Sequence, residues 1–181
     1  MRYFGGFLIA VGIIIVVLIL IFRGGGPEQK PLFLPDYAPT AAVAQYTIDG
    51  SVSNPETHRQ IQITVGNSSA VLTVIKGYQG EVVRSQTYPM DQAAYEAFLY
   101  ALQRSGYTEG DNDQKLADER GYCPTGQRYI YEMLNGDKQL LRYWSTSCGS
   151  TKTFKGNDAI VRRLFIKQIP DYDTLTSSVN L

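Results

Sequence analysis

Three residue types in this sequence could assemble a reaction: His58, Cys148 and the arginine pair Arg162-Arg163. A cysteine becomes a nucleophile when an imidazole takes its proton, and a guanidinium can hold the oxyanion that forms. Cys148 has a competing fate in Cys123, the only other cysteine among 181 residues. The CxxC spacing of redox proteins is absent, so the pair reads first as a structural disulfide. A free-thiol pair in a cytosolic domain and a catalytic Cys148 are the alternatives. His58, next to Arg59 and ahead of the first long strand, reads as a solvent-exposed loop residue.

Other chemistries find fewer parts. A serine hydrolase needs a base and an orienter, but His58 is the single histidine and no G-x-S-x-G elbow occurs. Ser145, Ser147 and Ser150 therefore read as polar strand and loop residues. Glycoside hydrolysis would draw its carboxylate pair from Glu96, Glu109, Glu132 or the acidic loop, and no spacing selects two of them. Asp111-x-Asp113 opens like a calcium loop, yet Lys115, Leu116 and Tyr122 occupy positions that need a ligand, a glycine and a glutamate. One histidine and two cysteines exclude a zinc finger. No glycine-rich phosphate loop, nucleotide motif or flavin motif is present, so neither a metal nor a cofactor is expected.

An anchored chain of this length carrying the run Ser145-Thr146-Ser147-Cys148 resembles the sortase transpeptidases in outline. That resemblance implies Cys148 as nucleophile with His58 and Arg162 around it. It extends only to the anchor, the length and that run. Two helices in the second half do not suit an all-β barrel, and Cys123 offers Cys148 a partner. The chain is not assigned to that family.

Binding features are easier to find. Lys138, Arg142, Lys152, Lys155, Arg162, Arg163 and Lys167 face a single acid, Asp158, within 30 residues. Lys152, Lys155, Arg162, Arg163 and Lys167 form a candidate basic face for a protein or an anionic envelope polymer; the bland reading is a solvated helix surface. Over the whole chain, 17 Lys and Arg balance 17 Asp and Glu. That balance gives no pull toward nucleic acid. Tyr129 and Tyr131 are expected to share a strand face with Trp144, as core residues.

These side chains need elements to position them. Tyr3–Phe22 is a 20-residue uncharged run between Arg2 and Arg23. As a helix it spans about 30 Å, enough to cross a bilayer. Its length and its β-branched end argue for a retained anchor over a cleaved signal peptide. Flanking charges nearly tie on orientation. The domain's content of Ser, Thr, Asn, Gly and Tyr and its two cysteines favour the outside. Pro27, Pro31, Pro35 and Pro39 then recur every four residues, which forbids helix and suggests a spacer reaching up to roughly 50 Å. Leu32, Phe33, Leu34 and Tyr37 are expected to dock on the domain.

The domain itself reads as α+β. Tyr46–Asp49 is a short strand, and Arg59–Val65, Ala70–Lys76 and Glu81–Tyr88 form a three-strand antiparallel meander. Asp91 caps a helix carrying Tyr95, Phe98, Leu99 and Leu102, ended by Gly106. A hairpin follows around Asn135-Gly136, and Asn157 caps a second helix that Pro170 stops. If that two-residue loop pairs Leu134 with Asp137, the same register places Cys123 opposite Cys148, with Cα atoms about 4.5 Å apart. The expected boundaries are an anchor over 1–23, a Pro/Gly-rich linker over 24–44, the domain over 45–172 and a frayed tail over 173–181. Asn67-Ser68-Ser69 matches a glycosylation acceptor, relevant only in a eukaryotic source. The sequence does not give the oligomeric state. The best reading is a single-pass anchored protein with an extracytoplasmic, non-enzymatic binding or envelope-associated domain. A cysteine enzyme using Cys148 and His58 is the alternative, and a cytosol-facing adaptor the third.

Overall fold

In the computed structural model, the described residues are 32–149 and 152–181. The expected anchor over residues 3–22, where the chain would meet the bilayer, lies outside them, as does most of the linker. Among the described residues no helix is long and apolar enough to cross a membrane.

Six strands form one antiparallel sheet: β1 (Ala42–Asp49), β2 (Arg59–Val65), β3 (Ser69–Lys76), β4 (Glu81–Pro89), β5 (Arg128–Asn135) and β6 (Lys138–Thr146). Their spatial order is β4-β3-β2-β1-β5-β6. The expected meander and hairpin are both present, and β1 joins them by pairing with β2 on one side and β5 on the other. This central strand starts at Ala42, inside the expected linker. Ala42 and Ala44 already belong to its alternation, which continues through Tyr46 and Ile48 with every one of those side chains buried. Alanine is a poor strand former in isolation, which hides the start of the strand.

Among the described residues three α-helices join the sheet: α1 (Gln92–Arg104), α2 (Asp158–Ile166) and the short α3 (Tyr172–Thr176). Asp91 caps α1 by accepting from Ala94 N–H at 2.7 Å, and Gly106 beyond its end takes φ +75°. Asn157 caps α2 through Ile160 N–H. The two longer helices cover the sheet face that carries Tyr46, Ile63, Leu72 and Tyr131, all buried. Phe165 of α2 lies 5.5 Å from the Tyr46 ring and 5.2 Å from Phe98 of α1. Each such buried aromatic or aliphatic side chain contributes about 1.5–3 kcal/mol. The Tyr95 hydroxyl donates to Ala42 O, and that of Tyr107 to Gln45 O and Glu132 O, so the helix layer is also tied to the sheet backbone.

The segments that flank the domain pack against it. Leu34–Tyr37 is a 3-10 turn with Leu34 and Pro35 buried. Phe33 meets Tyr100 edge-on at 5.9 Å, and Leu34 N–H donates to Gln103 Oε1. The expected docking of this apolar cluster is therefore seen for Phe33 and Leu34, so this part of the expected spacer belongs to the domain. Residues 173–181, expected to fray, include most of α3 and meet the domain at several points. Arg84 of β4 donates to Leu175 O, Tyr88 contacts Asp171, and Leu181 lies against Gly50, where a Cβ would stand 3.1 Å from its backbone. Side-chain hydrogen bonds to the backbone compensate for the tail's few apolar residues.

Candidate functional site

The sheet's other face is open and polar. Antiparallel pairing aligns three rows of side chains across β2, β1 and β5: Gln60–Asp49–Arg128, Gln62–Thr47–Ile130 and Thr64–Gln45–Glu132. Helices cover the opposite face, so alternation along each strand leaves these positions on the solvent side. The first two rows and Glu132 floor a groove of about 540 Å³, which falls within the roughly 300–1,000 Å³ of small-ligand sites. Tyr78 and Val52 wall one end, and Glu119, Arg120 and Gly121 overhang another.

A buried charge cluster anchors one end of the floor. The Asp49 carboxylate accepts from Arg128 Nε at 2.7 Å and from the Gln60 amide at 2.8 Å. Arg128 Nη2 also donates to Gly50 O. His58 Nε2 stands 2.9 Å from Asp49 Oδ1, at ion-pair distance but without hydrogen-bond alignment, while Nδ1 faces Ser51 O at 3.1 Å. His58 is thus not the exposed loop residue the sequence suggests, since it is only 1% accessible. Its ring is covered by Tyr78, stacked at 4.2 Å with 16° between planes. The Tyr78 hydroxyl bonds both Ser53 O and Ser53 N–H, which fixes the ring's orientation.

The covering wall is held by the cysteines. Cys123 and Cys148 form a disulfide, with Cα atoms 5.7 Å apart. Their proximity is as expected, but the register behind it is not. The hairpin loop is Gly136-Asp137, flanked by the pair Asn135 and Lys138, and a bulge after Met133 shifts the ladder again. The ladder ends at Arg128 with Thr146, and in that register Gly126 stands opposite Cys148. A turn closed by Gly126 N–H to Cys123 O folds Cys123 back into reach. Gly126 allows this because a Cβ there would lie 2.6 Å from Cys123 Sγ and 2.5 Å from Ser147 Oγ.

The shifted register also moves Trp144. It pairs with Ile130 and lies on the open-face side, not beside Tyr129 and Tyr131. Tyr122 covers it at 4.9 Å, and its indole N–H donates to Leu116 O. Tyr129 and Tyr131 are core residues as expected, on the helix side with Tyr46. Residues 111–122 thereby roof β6. Within this roof Asp111 and Asp113 accept from Asp113 N–H and Lys115 N–H, which makes them turn formers. Hydrogen bonds from Arg120 hold Asp118 down to about 2. Among the described residues no group of three His, Cys, Asp or Glu side chains is placed to hold a metal ion.

The proposed catalytic trio is not assembled. Cys148 is spent in the disulfide, His58 is turned toward Asp49, and Arg162 lies over the Tyr129 ring at 5.9 Å on the helix side. Of the basic face, Lys152, Lys155, Arg162, Arg163 and Lys167 are all exposed. Close to Arg162, burial pushes the Asp158 carboxyl above its ordinary value against the opposing pull of that guanidinium. Tyr131 donates to Asp158, and Ser145 completes a small polar cluster under α2. Sequence reasoning missed Asp49, Gln60, Gln62, Tyr78 and Arg128. The available signal was the polar alternation in Gln60-Ile61-Gln62-Ile63-Thr64, which marks a solvent-facing row.

No protein-family model matches this chain, and no curated protein matches it.

Proposed function

We propose that the protein is a single-pass, N-terminally anchored binding protein whose domain stands outside the cytoplasm and takes its ligand in the open-face groove. The observation that carries this reading is the groove itself: a concave floor of about 540 Å³ with a rigid aromatic wall and a prebuilt charge cluster. Supporting it are the uncharged run Tyr3–Phe22 and the Cys123–Cys148 bond, which suits an oxidising compartment. The exposed bases Lys152, Lys155, Arg163 and Lys167 offer a second surface, fit for a protein or an anionic envelope polymer.

The test is photo-crosslinking in intact cells with the full chain. A benzophenone-bearing phenylalanine replaces Gln62 in one version and Arg163 in the other. The groove reading expects a discrete adduct from position 62. An adduct from position 163 alone transfers the binding role to the basic face, and no adduct from either position contradicts a binding function.

A further inference from the structure

We infer that the groove binds a neutral polyhydroxylated ligand, the sugar units of an envelope glycan. This rests on the groove reading above and names the class of its ligand.

Three features of the lining select this chemistry. The first is its hydrogen-bonding character. The amide oxygens of Gln60 and Gln62 have no protein partner among the described residues, and the Gln62 amide nitrogen reaches Thr47 Oγ1 only at 3.5 Å. Side-chain amides and hydroxyls that both donate and accept match ligand hydroxyls, which do the same. Gln60 and Gln62 on β2 and Thr47 on the adjacent β1 have their spacing fixed by the ladder, so their geometry precedes the ligand's arrival.

The second is that the lining's charged groups have partners within the protein. Asp49 is matched by Arg128, Glu119 by Arg142 at 2.6 Å, and Arg120 by Asp118. Glu132 also lies 3.3 Å from Arg142. Arg142 thus serves two carboxylates, so each charged group has a partner and a single negative charge is in surplus; such a groove repels a polyanion and leaves the lining's amides to decide affinity. The basic residues that would draw an anionic polymer lie elsewhere, around α2.

The third is Tyr78. The residue is 52% exposed although its hydroxyl is bonded twice and its ring is stacked on buried His58. An aromatic side chain held still at a polar groove's edge presents a negative ring face, which suits the weakly positive C–H face of a pyranose. A bound peptide strand would instead seek an unpaired sheet edge. The groove lies on the face of the sheet, where every central strand already has its ladder partners.

The experiment uses the full chain in nanodiscs and saturation-transfer NMR on a panel of neutral oligosaccharides built from hexoses and N-acetylhexosamines, each at millimolar concentration. A tetragalacturonate and a neutral Asn/Gln-rich peptide serve as contrasts. Expected is transfer to at least one neutral sugar, reduced fivefold or more in Gln62→Ala and Tyr78→Ala and unchanged in Gln92→Ala, an exposed position at the start of α1. Thermal melts identify any variant that loses its fold; Gln62→Ala alone suffices, because its side chain makes only the long hydrogen bond to Thr47. Absence of groove-dependent transfer to every neutral sugar overturns the inference, as does a preference for the tetragalacturonate or the peptide. If position 62 still crosslinks to a cellular component in that case, the groove stands and only the sugar falls.

Discussion

Tyr46 and Tyr107 are both fully buried, yet their hydroxyls have opposite fates. That of Tyr107 donates to two carbonyls, whereas that of Tyr46 has no partner among the described residues. A buried hydroxyl without a partner costs about 1–3 kcal/mol of desolvation, so Tyr46→Phe should be neutral or stabilising by about 1 kcal/mol. Tyr107→Phe should destabilise by about 1–2 kcal/mol, since it strands Gln45 O and Glu132 O short of a donor. Urea unfolding of the two variants checks the contrast. Asp158 allows a pH test. Burial raises its carboxyl above the ordinary value, so the folded state binds its proton more tightly than the unfolded chain does. That contribution is fully present at acidic pH and is lost as pH rises through the raised value. Asp158→Asn keeps an acceptor for Tyr131. Relative to wild type it should gain stability progressively as pH rises above the ordinary carboxylate range, as measured by melts from acidic to neutral pH. At this scale the sequence was least legible. Asp49, His58, Gln60 and Arg128 come from three strands and a loop, and only the β1–β2 and β1–β5 registers bring them together.

The elements were more legible, because local rules fix them. Asp91, Gly106 and Asn157 sit where capping chemistry puts them, and Asp91→Ala should cost about 1 kcal/mol in thermal unfolding. Register was harder. A bulge and a one-residue change in the loop move every facing pair along the hairpin, and Trp144 changes sides with them. The cysteines meet all the same, because the turn through Pro124 and Thr125 brings Cys123 back over Gly126. Cys123→Ala and Cys148→Ala should therefore destabilise equally, by about 3 kcal/mol for a loop of this length. Gly126→Ala should act in the same direction, with its added methyl directed at Cys123 Sγ and Ser147 Oγ. Mass spectrometry of freshly purified Gly126→Ala should find a raised fraction of free thiol.

For the whole molecule, the antiparallel sheet with helices on one face follows from the order of the elements, and the polar alternation of β2 already implied an open second face. What the order did not convey is that Ala42–Asp49 is the central strand, because two alanines open it and the partners on its two sides are unequally distant in sequence. The proposal of an anchored, extracytoplasmic binding domain turns on which side of a membrane the open face occupies. Intact cells making the full chain should be treated with a membrane-impermeant maleimide, with and without an impermeant reductant. An extracytoplasmic domain closed by Cys123–Cys148 predicts labelling only after reduction. Labelling without reductant would contradict the disulfide and return Cys148 to the reactive thiols. Thiols that react only once the cells are lysed would put the groove in the cytosol and contradict the account at its centre.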